Sequence, residues 1–168
     1  MCDNVVTLAF LHANSGALEK HWMNDAAARV ARAKGLEPYI HCEIIFPDEY
    51  SYSITANGDG VHRVHSKGFN RDEWEFYKME LGRDGVRRAQ LFCDRAHASK
   101  ATFNWVGYTL SPVMSWGGGG HKYFCSELCA AALREGGLEL SRAPEEYMPA
   151  DLHSFVRSKN VTHPCTHP

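Results

Sequence analysis

The sequence predicts an α+β fold, a small antiparallel sheet packed against one central helix and one or two others. Three observations lead there. Val5–Leu11, Tyr39–Phe46 and Glu73–Leu81 are short apolar or alternating runs of strand length. Asp84–Ala98 and Ser126–Arg134 carry apolar residues at helical spacing. The 168 residues, 44% apolar and 23% charged, suffice for a single core.

Val5–Leu11 reads as a buried strand. Asn14 or Ser15 caps a helix over Ala17–Lys34, with Leu18, Trp22, Ala26, Val30 and Ala33 on its buried stripe, and Gly35 and Pro38 end it. Tyr39–Phe46 and Tyr50–Ala56 form a hairpin about Pro47-Asp48-Glu49. Asn57-Gly58-Asp59-Gly60 is turn chemistry, and Val61–Val64 a further short strand. In Glu73–Leu81, Trp74, Phe76 and Tyr77 read as packing residues. The next helix brings Val86, Ala89, Phe92, Cys93 and Ala96 together. Ser111–His121, with glycine throughout Gly117–Gly120, reads as a mobile loop, and Gly136-Gly137 stops the helix after it. Past Pro149 one short turn of helix is expected, then a polar tail from about residue 158. With no repeat or linker, residues 1–168 read as one domain.

Composition narrows the function classes. A formal charge of −2 and a pI near 6.5 leave no electrostatic footprint for nucleic acid or anionic membrane. The first residues lack a basic region, and their apolar run is too short for a signal peptide or a membrane span. Cys125 and Cys129 are four apart in a helical stretch, while Cys42 and Cys93 sit among apolar residues. The six cysteines therefore read as free thiols in a reducing, cytoplasmic compartment.

The segment WGGGGHKYFCSELCAAALREGG, from Trp116 to Gly137, holds the most chemistry. Cys125 falls at the first residue or N-cap of a helix. The dipole there favours a thiolate, and the backbone N–H groups can cradle an oxyanion. Leu128, Ala131, Ala132 and Leu133 bury the helix beneath it. An isolated cysteine here is ordinarily a core residue, so a base is required. In Tyr39–Phe46, Ile40, Cys42, Ile44 and Phe46 take one face, which leaves His41 and Glu43, beside Tyr39 and Ile45, on the less apolar, exposed one. A turn centred on Asp48 places Thr55 opposite His41 and Ser53 opposite Glu43. Either hydroxyl, or Glu43, can orient the imidazole, although Glu43 lies about 7 Å from His41 along the strand.

The order of these pieces resembles a circularly permuted NlpC-type papain-fold family of bacterial and large-DNA-virus proteins, whose histidine strand precedes the cysteine helix. Val5–Phe10 resembles its opening strand and Asn104–Tyr108 its aromatic segment. Phe124-Cys125-Ser126-Glu127-Leu128 resembles its nucleophile signature, and Met148-Pro149-Ala150-Asp151-Leu152 its closing turn. The resemblance implies a permuted papain-like fold with Cys125 as nucleophile and His41 as general base. Glu43 is then the third member, with Thr55 or Ser53 as alternatives. It implies a cysteine-dependent amide or peptide hydrolase acting through a thioester. A lipid acyl hydrolase or acyltransferase and a non-catalytic binding module are the alternatives. The expected partner is a peptide, protein or acyl-lipid substrate, with no cofactor.

Two other features carry weaker chemistry. His62-x-x-His65 and His163-Pro-Cys165-Thr-His167 bring metal-ligand types together, but without the spacing of a structural zinc site, so no metal is expected. Gly117–Gly120 lacks the Gly-Lys-Ser/Thr of a phosphate-binding loop and reads as a lid or connector. Phe103, Trp105 and Tyr108 read as core packing before pocket lining.

Overall fold

A computed structural model describes residues 3–15, 22–70, 72–105 and 122–159. β1 (Val5–His12), β2 (Tyr39–Ile45), β3 (Tyr50–Ile54), β4 (Val61–His65) and β5 (Trp74–Glu80) form a five-stranded antiparallel sheet in the order β4-β3-β2-β1-β5. Short turns make β2, β3 and β4 a meander, and β1 fills the other edge of β2 before accepting β5. The first turn closes with the Phe46 N–H donating to the Tyr50 carbonyl at 3.0 Å. Ile44 then faces Tyr52 and Ile45 faces Ser51, the register the sequence predicts.

Among the described residues four helices accompany the sheet: α1 (Trp22–Ala33), α2 (Gly82–Ala98), α3 (Cys125–Glu135) and α4 (Pro149–Lys159). β6 (Thr102–Phe103) and β7 (Lys122–Tyr123) pair in parallel, so the residues just before Cys125 are strand-like. α3 is buried on every side from Cys125 to Leu133. Its alanines let β2 and α2 approach closely. A Cβ on Gly85 of α2 would lie 2.4 Å from the Gly136 carbonyl oxygen, so only glycine fits that crossing. Gly137, at φ +96°, turns the chain after α3 where an L side chain would be strained. None of the described helices is long and apolar enough to cross a membrane.

Several expectations need correction. α1 buries Ala27, Ala28 and Ala31, whereas Ala26 and Ala33 are exposed. In a run of alanines hydrophobic periodicity barely distinguishes adjacent faces, and contact with Ile40 and Met148 decides which one is covered. Leu18 and the expected start of that helix lie outside the described residues. Tyr39 does not share the His41 face. A bulge opposite Leu11 and His12 adds a residue to β2, which turns Tyr39 into the core against Phe10. β3 ends at Ile54 rather than Ala56. Of the β5 aromatics only Tyr77 is buried, since Trp74 and Phe76 point to the opposite face, where Phe76 is 37% exposed. Trp105 is likewise exposed.

The single turn expected after Pro149 is the full helix α4. Pro149 occupies its first position, where a missing N–H costs nothing, and Pro149, Leu152, His153 and Val156 make a buried stripe at helical spacing. His153 stacks on Tyr39 with ring centroids 4.0 Å apart, and its Nε2 lies 3.3 Å from Glu75 Oε2. Asp151, 5% exposed, binds Lys34 Nζ at 3.1 Å and Arg142 Nη1 at 3.6 Å, joining α4 to the end of α1. Leu152 is fully buried in the core. Leu152→Ala is expected to cost about 2–5 kcal/mol in urea denaturation, whereas a loss near zero would mean that α4 is not docked.

Candidate active site

β2 pairs with β1 along nearly its whole length but with β3 only at Ile44 and Ile45. Toward Tyr39 its other edge is therefore open, and its backbone groups need partners. Side chains supply them. Ser53 Oγ donates to the Cys42 carbonyl at 2.7 Å, and the Cys42 N–H donates to the sulfur of Cys125. The start of α3 thus occupies the place of the missing strand.

Local sequence explains why the helix begins there. Phe124, in extended conformation, is the N-cap, and Cys125 is the first helical residue. Glu127, two positions on, turns its carboxylate back. Its Oε2 accepts from the Phe124 N–H at 3.2 Å and from Asn104 Nδ2 at 3.3 Å. Burial raises Glu127 to about 7, against the pull of those two donors. Ser126 Oγ is buried without a hydrogen-bond partner among the described residues.

His41 and Glu43 share the sheet face opposite Cys42. Their side chains lean together, bringing His41 Nε2 to 3.5 Å from Glu43 Oε1. Contrary to the expected exposure, His41 is 5% exposed and Glu43 7%. Trp74 meets His41 in a T-shaped pair, with centroids 6.0 Å apart, and Phe69 packs on Trp74 at 4.6 Å. Ser53 Oγ lies 3.3 Å from His41 Nε2. Because that hydroxyl already donates to Cys42, it accepts from the ring. Glu43 and Ser53 thus share Nε2, and the ring also hydrogen-bonds Cys125.

The charges follow from these contacts. Burial works against a charged His41, but the Cys125 thiolate, by charge and hydrogen bond, and then Glu43 raise it to about 10. Cys125 is held well below the ordinary thiol value. A hydrogen bond from the Cys42 thiol is the largest cause, burial opposes it, and the His41 charge adds to it. Burial and hydrogen bonds to Cys125 and Cys129 push Cys42 up, so it remains a neutral donor. Glu43 is pushed up by burial and pulled further down by hydrogen bonds from His41 and His62, which leaves it well below the carboxylate range. Ser51 Oγ donates to its Oε2 at 2.7 Å, and His62 Nε2 is 3.6 Å from its Oε1.

The structure thus brings Cys125, His41, Glu43 and Ser53 together. Thr55 lies beyond β3 and outside the ladder with β2, so it is not opposite His41; no described hydrogen bond joins the two. His62, Ser51, Cys42 and Trp74 were missed as site residues. Alternation carried across β3 and β4, where Ser53 faces His62, was the signal for the first two. His65, three residues from His62, turns instead to Glu49 at 3.5 Å. Among the described residues no group of three or more His, Cys, Asp or Glu side chains is arranged so that it could hold a metal ion. Gly117–Gly120, Tyr108 and the His163–His167 tail lie outside them.

Compared with known proteins, the chain matches no family model, no curated protein and no solved structure.

His41 is expected to keep its proton through the neutral range and to lose it only near pH 10. Cys125→Ala removes the negative charge that opposes burial, so the His41 pKa should fall. Imidazole 15N NMR reads both. A neutral His41 ring at pH 7 in the wild-type protein would contradict this charge assignment.

Proposed function

We propose that the chain is a cysteine-dependent hydrolase of amide or peptide bonds with a permuted papain-like fold. The arrangement that supports this most is a buried Cys125 at the first turn of a helix beside His41, whose Nε2 lies 3.5 Å from Glu43, with these neighbours holding the thiol low and the imidazole high. A thiol built only for packing has no use for either partner.

In the proposed reaction, Cys125 Sγ attacks the substrate carbonyl carbon, forming a C–S bond and moving the π electrons to oxygen. The N–H groups of Cys125 and Ser126 have no carbonyl four residues back to serve, so they face the developing oxyanion with the positive end of the helix behind them. His41 gives its proton to the departing nitrogen as the C–N bond breaks. The neutral ring then takes a proton from water, which attacks the thioester and returns Cys125 to the thiolate. Glu43, fixed by Ser51 and His62, keeps the ring oriented and its charge compensated in both halves.

Libraries of acyl amides and acyl esters, followed by intact-mass detection of the acyl-enzyme, test the reading. Cys125→Ala should abolish both turnover and the acyl adduct, and His41→Ala should lower kcat by about 10²–10⁴-fold. Glu43→Gln should produce a smaller loss. Turnover that survives Cys125→Ala, or an adduct on another residue, would refute it.

A further inference from the structure

The sheet face that carries His41 and Glu43 continues across β1 to β5 as an aromatic surface. Leu11 of β1 pairs with His41 on one side and Trp74 on the other, and Ala9 pairs with Glu43 and Phe76. Residues paired across strands share a face, so Trp74, Leu11 and His41 form one row and Phe76, Ala9 and Glu43 the next. Leu11 and Ala9 are fully buried, whereas on β5 Trp74 is half-buried and Phe76 exposed. Phe69, from the connection between β4 and β5, meets both rings, with centroids 4.6 Å from Trp74 and 6.2 Å from Phe76. Trp74 in turn meets His41 at 6.0 Å.

The core does not call for these rings. β5 gives it Tyr77 and Met79 from the opposite face. A single exposed ring is ordinary on a protein surface, but rings in mutual contact that begin at a reactive side chain mark a binding surface. Its place relative to the sulfur sets what it binds. α3 packs on β2 and β3, so Cys125 approaches β2 from the β3 side, while the rings lie on the β1 side. His41 stands between them. In the hydrolase reaction the acyl carbon bonds to Cys125 and the leaving nitrogen takes the His41 proton. The amine half of the substrate therefore extends past His41 onto the rings.

We propose that Phe69, Trp74 and Phe76 form the subsite for that amine half, and that the preferred substrate is an amide whose nitrogen carries an aromatic side chain. A peptide bond followed by phenylalanine, tyrosine or tryptophan is the simplest case. The assignment rests on the hydrolase reading for the direction of the substrate. Phe69 is inclined by 66° to Trp74 and by 65° to Phe76, so the cluster offers ring faces and edges in fixed directions. An incoming ring can complete that T-shaped packing, which a flexible alkyl chain cannot reproduce.

The test uses N-phenethyl, N-hexyl and N-methyl chloroacetamide, in which a thiol displaces chloride to form a C–S bond and the amide nitrogen carries the group under test. Labelling of Cys125 in the full-length protein is followed by peptide mass spectrometry, and each rate is divided by that for free cysteine. The phenethyl probe should label Cys125 faster than the methyl probe by about tenfold, with the hexyl probe well behind it. Phe76→Ala should bring the phenethyl-to-methyl ratio close to one, and Phe76→Tyr should retain it. Phe76 is exposed, so neither change threatens the core, and circular dichroism verifies the fold. Equal rates for all three probes, an equal gain from the hexyl chain, a preference that survives Phe76→Ala, or no labelling of Cys125 would each overturn the proposal. Labelling requires no turnover. A ring preference without amide hydrolysis would therefore sink the hydrolase reading alone, and hydrolysis without the preference would sink the subsite alone.

Discussion

A thiolate and an imidazolium buried side by side are tolerable only because each compensates the other. Either charge alone, so far from water, would cost several kcal/mol and would neutralise itself instead. That constraint accounts for most of what surrounds the pair. Glu43 adds a second buried negative charge, which needs donors of its own, and Ser51 and His62 provide them. Ser53 both accepts from the ring and caps the Cys42 carbonyl. Cys42 contributes a thiol and an N–H to Cys125. The carboxylate, the imidazole and the thiol are thereby each matched to complementary groups.

The sheet makes this possible by being incomplete. A β3 that followed β2 to its end would pair the Cys42 backbone and leave no room for α3. Because β3 leans toward β4 after Tyr52, the helix start enters at the vacated edge. Burial of α3 along its length then fixes where Cys125 sits, and the Glu127 carboxylate sets the residue at which the helix begins. Positioning the sulfur is therefore a task of the whole core, from the Gly85–Gly136 crossing to the alanines against β2.

Much of this was readable from residue types. The helix start at Cys125, the placement of His41 and Glu43 on one strand face, and the hairpin register all follow from local rules of capping, alternation and turn length. Less local features were not readable. The bulge that turns Tyr39 inward depends on pairing with β1, far back in the chain. The buried face of α1 is decided by partners rather than by its alanine-rich pattern. A strand rise of about 7 Å between His41 and Glu43 did not foretell side chains leaning to 3.5 Å. The part played by His62 arises two strands away, where no spacing within β2 can reveal it. α4 is legible in principle, because Pro149 with Leu152 and Val156 is a helix start with its buried stripe, whereas the expectation of one short turn of helix stops before that stripe is complete.

The buried ion pair is the central claim, and cysteine alkylation reads it without any knowledge of substrate. Iodoacetamide labelling of each cysteine, mapped by mass spectrometry across pH, would be compared between the wild-type protein and His41→Ala. The account predicts that Cys125 retains its full thiolate reactivity well below the ordinary thiol pKa of about 8.5, and that His41→Ala moves its inflection upward. A wild-type inflection at the ordinary value, unmoved by His41→Ala, would contradict it.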